Sequence, residues 1–246
     1  MMEMDDRRLR EIQANTIFTM SASGRILSRN DPEQGPGPRL YIAGSKAGNV
    51  FRVGAEVEED VASSIARLMA GEPPLIEPGG RPVHFEQYRR LLGSEGGAGE
   101  DFGLTWALPN TTGYQHPATL VRSGTPEGDA LTAGIRGQGM PLALVALGFV
   151  DLSHFWEPWC VAMDGGGVAA IAFAARLGRE AAEAGVAAVL ASRGRGFAAA
   201  AAAGWAAHPA LAGKPLFYTT SPANTSSQRV TGRLGLRFIG ASLAIF

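Results

Sequence analysis

Seven residues concentrate the chemistry of this chain: Ser192-Arg193-Gly194-Arg195-Gly196-Phe197-Ala198, between an apolar stretch and a long alanine run. Strand, short arginine/glycine turn, then helix is a way to build an anion cradle. Glycine lets backbone approach a phosphate, and the first helical turn presents N–H groups that lack intrahelical acceptors. The helix dipole favours the same charge, and Arg193 and Arg195 add charge-assisted bonds. The ligand this predicts is a pyrophosphate. Read singly, an Arg-Gly-Arg-Gly run is also a common surface turn, and Asn224 downstream is fully explained as a helix N-cap.

The order of the motifs narrows the reading. Arg193, Gly196 and Ala198 spell R-x-x-G-x-A, which resembles the acyl-CoA-binding signature of the GNAT N-acetyltransferase family (Q or R, x, x, G, x, G or A). Asn224-Thr225-Ser226-Ser227 resembles the family's N-x-x-S/A pattern at the start of the next helix. Arg233-Leu234-Gly235-Leu236 and the residues to Gly240 resemble its K/R-L-G-F ending. The resemblance covers residues 102–246, is carried by the motifs from Val161 onward, and includes none of the first hundred residues.

The resemblance implies acetyl-CoA, or a related acyl-CoA, as co-substrate, with no metal. The pyrophosphate would lie on the N–H groups of Gly194, Arg195, Gly196, Phe197 and Ala198. Pantetheine would insert between two splayed strands, pairing with backbone at Ala188, Val189, Leu190 and Ala191, with Asn224 and Ser227 close by. The implied reaction is N-acyl transfer in a ternary complex, by direct attack of a primary amine on a small molecule or peptide. An amine with pKa near ~10 needs a base. Glu183 is the nearest acidic residue, with Glu180 and Glu157 behind it. Many members place a tyrosine acid seven residues after the motif asparagine; here Thr231 occupies that position, and Tyr218 is the substitute. Leu190 stands where the family often has proline, and Ala187 and Ala188 are small and apolar. These departures leave a second reading open, a catalytically degenerate CoA-binding sensor or assembly protein.

Other chemistries find less support. His84, His116, His154 and His208 lack metal-ligand spacing, and there is no HExxH pair. Cys160, the one cysteine, sits in an apolar stretch and reads as a packing residue; it excludes an intramolecular disulfide. Gly194-x-Gly196 lacks the third glycine of a dinucleotide fingerprint, and no GKS or GKT follows. A formal net charge of -1 gives no general drive toward nucleic acid or anionic membrane, so anion binding must be local. The charged N-terminus lacks a signal-peptide core, and the longest apolar run, Met140–Val150, is shorter than the ~20 residues that span a bilayer. A reducing cytoplasm fits, with a homodimer allowed.

The elements that must hold these residues follow from periodicity and turn signals. Before Gly93–Asp101, helices are expected at Met4–Gln13, Val57–Ala70 and His84–Leu92, with hairpins at 16–27 and 39–53. After it come strands at Phe102–Leu108 and Thr119–Arg122, a helix at Pro141–Phe155, and a hairpin turning at Asp164-Gly165-Gly166-Gly167. A strand at Gly185–Ala191, a helix at Gly196–Ala207, a strand at Pro215–Thr220, a helix at Asn224–Leu234 and a strand at Leu236–Ile245 complete the order. The expected class is α/β of the α+β kind: a GNAT-like mixed, mostly antiparallel twisted sheet flanked by helices, with an additional N-terminal α+β domain. The expected division is an accessory or substrate-shaping domain at 1–95, a linker at 96–101 and a GNAT-like acetyltransferase domain at 102–246.

Overall fold

In the computed structural model, which describes residues 4–93 and 99–246, Asp5 caps the first helix by accepting from the Arg8 N–H at 2.8 Å. Helix α1 (Asp6–Ile17) leads into β1 (Phe18–Met20) and β2 (Ile26–Arg29), then the hairpin β3 (Leu40–Ser45) and β4 (Gly48–Val53). Helices α2 (Glu59–Met69) and α3 (Phe85–Leu91) precede β5 (Glu100–Leu108) and β6 (Thr119–Arg122). Helix α4 (Pro126–Gln138) and the short α5 (Leu142–Val145) lead to β7 (Trp159–Asp164), β8 (Gly167–Leu177) and β9 (Ala182–Ala188). Helix α6 (Phe197–Ala206), β10 (Leu216–Thr220), α7 (Thr225–Arg233) and β11 (Arg237–Ile245) finish the chain.

Among the described residues, nine strands form one sheet in the order β4-β3-β11-β5-β10-β9-β8-β7-β6. Every neighbouring pair is antiparallel except β9 and β10. This is the expected mixed α+β architecture, a large and mostly antiparallel sheet flanked by helices. Leu104 and Leu108 share one face of β5; Leu104 packs with the α2 and α3 residues, Leu108 with α6. The opposite face carries α1 and the α4–α5 region, where Phe149 and Phe155 pack on Val161 and Ile171.

Alanine decides how closely α6 approaches the sheet. Ala199, Ala200 and Ala202 meet Ala162, Ala170, Ala172 and Ala184, all buried. A Cβ on Gly204 would lie 2.5 Å from Cys160 Sγ.

Four local expectations change. Pro141–Phe155 is not one helix: α5 ends at Val145, Gly148 adopts φ +92°, and a 3-10 turn spans Leu152–His154. Apolar density there came from residues packing singly into the core. Helix α4 was missed, although Thr125 caps it by accepting from the Gly128 N–H and Pro126 occupies its first turn. The strand expected to Ala191 stops at Ala188, and Leu190–Ser192 is a 3-10 turn. Of the segment expected as a linker, residues 96–98 lie outside the described residues. Glu100 and Asp101 are strand residues opposite Ile245 and Ala244. Since β3 also pairs with β11, strands from both sides of that segment share the sheet.

Candidate active site

Strands β9 and β10 run together only at their beginnings. Ala182, Glu183 and Ala184 pair with Leu216, Phe217 and Tyr218. Beyond that point Thr219 and Thr220 pair with β5, and Gly185–Ala188 pair with β8, so the sheet opens between them. The Ala182 N–H donates toward β10 (to the Pro215 carbonyl, 3.2 Å), and the Val189 N–H donates toward β8 (to the Ala169 carbonyl, 2.9 Å). Peptide groups alternate along a strand, so those of Val186 and Ala188 face the opening.

A cavity of about 490 Å³ occupies this opening. Val186, Ala188 and Tyr218 line it from the α6 face of the sheet. Ala187 and Leu147 line it too, yet they pack with the cluster on the opposite face. The cavity therefore passes through the sheet where the two strands part.

One wall is the arginine/glycine turn. Gly194 and Gly196 have φ +77° and +96°, and Gly196 is the N-cap of α6. Phe197, Ala198 and Ala199 begin the helix with N–H groups beyond the reach of its own carbonyls. Gly194, Gly196, Phe197 and Ala198 all line the cavity. The physical reason for Gly196 differs from the expected one: an added Cβ would meet the Tyr114 hydroxyl at 2.6 Å and the His116 ring at 3.1 Å. Its own neighbours, before any phosphate, require glycine.

Not every expected residue converges here. Arg193 lines the cavity, with Nε donating to the Ala188 carbonyl at 3.4 Å. Arg195 does not; it pairs with Asp164 at 2.5 Å and lies over the Phe197 ring at 4.9 Å. Val189, Leu190 and Ala191 are also outside the lining, and Leu190 is 75% exposed. The 3-10 turn takes Leu190 and Ala191 out of the strand, and the Val189 N–H is engaged by the Ala169 carbonyl on β8.

The facing wall is α7. Asn224 caps it by accepting from the Ser227 N–H at 3.0 Å, and both residues line the cavity. Arg229 and Arg233 line it as well, and Arg233 donates to the Gly194 carbonyl at 2.6 Å, joining the two walls. Sequence reasoning missed Arg229. The signal was available: Ser226, Arg229, Val230 and Arg233 follow helical spacing from the asparagine cap. Thr231 is buried, and its hydroxyl donates to the Gln228 carbonyl at 2.8 Å.

Tyr218 is buried in the cavity wall, where its hydroxyl shares a 2.7 Å hydrogen bond with Ser227. Burial pushes the phenol above its ordinary pKa, against a smaller lowering by the Ser227 bond. Glu183 lies on the opposite face of the sheet. Its Oε2 accepts from Gln13 Nε2 and Thr219 Oγ1, each at 2.7 Å. Gln13 is held in turn by Arg10, a fully buried guanidinium that donates to Gln13 Oε1 and to the Ala241 backbone carbonyl. Desolvation lowers the Arg10 pKa, with Tyr41 and Glu183 opposing. A second cavity of about 270 Å³ borders Glu183 and Thr219. Glu183 and Tyr218 thus flank the split from opposite faces.

The remaining candidates have local roles. Glu180 makes exposed pairs with Arg8 and Arg179, and Glu157 is an exposed residue outside both cavities. Burial pushes the Cys160 thiol up to about 12, which leaves it inert. His208 caps a 3-10 turn, and His84 contacts Glu72 at 2.8 Å. Among the described residues no group of three metal-ligating side chains occurs, and no helix is long and apolar enough to cross a membrane.

Hairpin, strand, helix, strand, helix, strand, with the turn after β9 and the asparagine cap after β10, is the arrangement the motifs require. The fold resembles that of the GNAT N-acetyltransferases. No protein-family model matches the chain, and no curated protein matches it. Solved structures do. A GNAT-family chain from Novosphingobium aromaticivorans is 24% identical with a TM-score of 0.42; the match covers 60% of this chain and 64% of that one. An acetyltransferase from the GNAT family of Colwellia psychrerythraea is 15% identical, TM-score 0.43, covering 80% and 76%. A GCN5-related N-acetyltransferase-like protein from Streptococcus suis is 15% identical, TM-score 0.44, covering 88% and 86%. This chain therefore spans less than two thirds of the first of these. Strand order and motif placement carry the resemblance.

Proposed function

We propose that the chain is an acyl-CoA-dependent N-acyltransferase that moves an acetyl group to a primary amine in a ternary complex. The observation that carries the reading is the cavity through the sheet at the β9–β10 split, bounded by the Arg193–Ala198 turn and the Asn224 helix.

The residues present fit acyl-CoA. The first N–H groups of α6 suit a pyrophosphate, and Arg193, Arg229 and Arg233 supply positive charge around it. The gap-facing peptide groups of Val186 and Ala188 suit the amides of a pantetheine arm. When bound, acyl-CoA supplies a thioester carbonyl open to attack by an amine. Glu183, on the face opposite α6, takes the proton from the incoming ammonium. Tyr218 keeps its proton at neutral pH and donates it toward the departing sulfur. Walls on both faces orient the two reactants, which supplies much of the rate by itself.

The test is ligand-dependent stability. Acetyl-CoA at saturating concentration raises the melting temperature by mass action, whereas ATP and NAD do not. No shift with acetyl-CoA contradicts the proposal. A panel of amines then separates the enzyme from the sensor reading, which the buried, self-satisfied Thr231 favours. Binding with no CoA release for any acceptor supports the sensor.

A further inference from the structure

The cavity beside Glu183 carries charges of both signs in a fixed arrangement. Arg176 pairs with Glu183 across β8 and β9, just past a bulge between Ala174 and Arg176, and both residues line the cavity. Arg29 joins them. Arg176 and Arg29 both reach one oxygen of Asp31, at 3.1 and 3.9 Å. Asp101 also lines the cavity, so what stays open there is hydrogen-bonding capacity and not net charge. Arg29 Nε, moreover, is buried without a hydrogen-bond partner among the described residues. On Glu183, Gln13 and Thr219 both occupy Oε2, and no hydrogen bond from the described residues reaches Oε1.

Around one cavity, the unsatisfied Arg29 donor beside the Arg176 guanidinium and the open Glu183 oxygen match a zwitterion whose ammonium and carboxylate are attached to one tetrahedral carbon. We propose that this cavity binds a free α-amino acid as the acceptor, its ammonium on Glu183 and its carboxylate on Arg176 and Arg29. The assignment rests on the acyltransferase reading and names the substrate class for it. In transfer, Glu183 takes one ammonium proton and passes it to solvent. The nitrogen forms the C–N bond as the C–S bond breaks. Tyr218 gives a proton to sulfur, and the second proton lost from nitrogen replaces it, so one proton is released per turnover.

The experiment measures equilibrium binding of glycine, L-alanine and L-leucine, and of the carboxamide of each, by calorimetry with and without CoA, followed by acetyl transfer. Free amino acids are expected to bind and be acetylated, with carboxamides at least about tenfold weaker. Arg176→Gln removes that preference. Arg29→Gln, at a partly exposed side chain, weakens it and guards against a folding failure in the first variant. Carboxamides binding as tightly as the acids, no amino acid binding, or a preference retained in both variants would overturn the assignment. Acyl-CoA binding without amino-acid binding overturns this inference alone. Amino-acid binding without acyl-CoA binding overturns the transferase reading while keeping the cavity's ligand.

Discussion

Tyr218 and Ser227 share a 2.7 Å hydrogen bond that ties β10 to the first turn of α7 at the wall of the through-sheet cavity. The bond aims a buried phenol, which holds its proton, at the place where β9 and β10 part. Tyr218→Phe is expected to lower kcat for acetyl transfer by ~10²-fold, as for loss of a general acid. The Kd for acetyl-CoA, measured by calorimetry, should change by less than about threefold, because positioning contacts remain.

The same phenol sets a pH dependence. Its folded pKa is raised by burial, so its stabilising contribution is complete below the ordinary tyrosine value near ~10. That contribution is lost as pH rises through the higher folded value. Urea unfolding midpoints should therefore fall more steeply on the alkaline side for wild type than for Tyr218→Phe, and the alkaline limb of kcat should lie above ~10.

Arg229 and Arg233 approach the cavity from α7 and are expected to read phosphate charge. Arg229→Gln should raise the Kd for acetyl-CoA by about tenfold, the worth of one charge-assisted contact. Added salt should weaken wild type more than the variant. Arg233→Gln also removes the bond to the Gly194 carbonyl, so its effect should be larger and include loosening of the turn.

The two turn glycines separate conformation from crowding. Gly194 has φ +77° with open space where a Cβ would go; Gly196 has φ +96° and meets Tyr114 and His116. Gly194→Ala should cost about 1–2 kcal/mol, the left-handed backbone penalty. Gly196→Ala adds overpacking and should cost about 2–4 kcal/mol in all. Chemical denaturation of both variants checks the order.

Gln13 relays between the buried Arg10 and Glu183. Gln13→Leu strands the guanidinium without that acceptor and frees the carboxylate. Stability should drop by about 3 kcal/mol, measured by urea unfolding. At temperatures where the variant stays folded, kcat should fall while acetyl-CoA affinity holds.

How much of this was legible depends on the range of the determinants. The geometry of the turn and of the helices beside it could be read because its determinants are local: a glycine pair, an alanine helix, an asparagine cap four residues after a strand. Glu183 and Tyr218 were readable as residue types, but that they lie on opposite faces follows from strand alternation around a register no local pattern encodes. The partner of Arg195 could not be read, because only the fold brings Asp164, 31 residues away in sequence, to within 2.5 Å of it. Helix α4 was hidden by Gly128, Gly134 and Gly137, although its Thr125 cap was visible. The pairing of β3 with β11 joins residues about 200 apart in sequence, and no local signal reports it.

The central claim is that acyl-CoA enters the sheet between β9 and β10 with its phosphates on the first turn of α6. Amide hydrogen exchange resolved by residue, with and without CoA, tests it most directly. The account predicts new protection at Val186 and Ala188 and at Phe197, Ala198 and Ala199, with little change on the distant β3–β4 hairpin. Unchanged exchange at those five amides in CoA-saturated protein would contradict it.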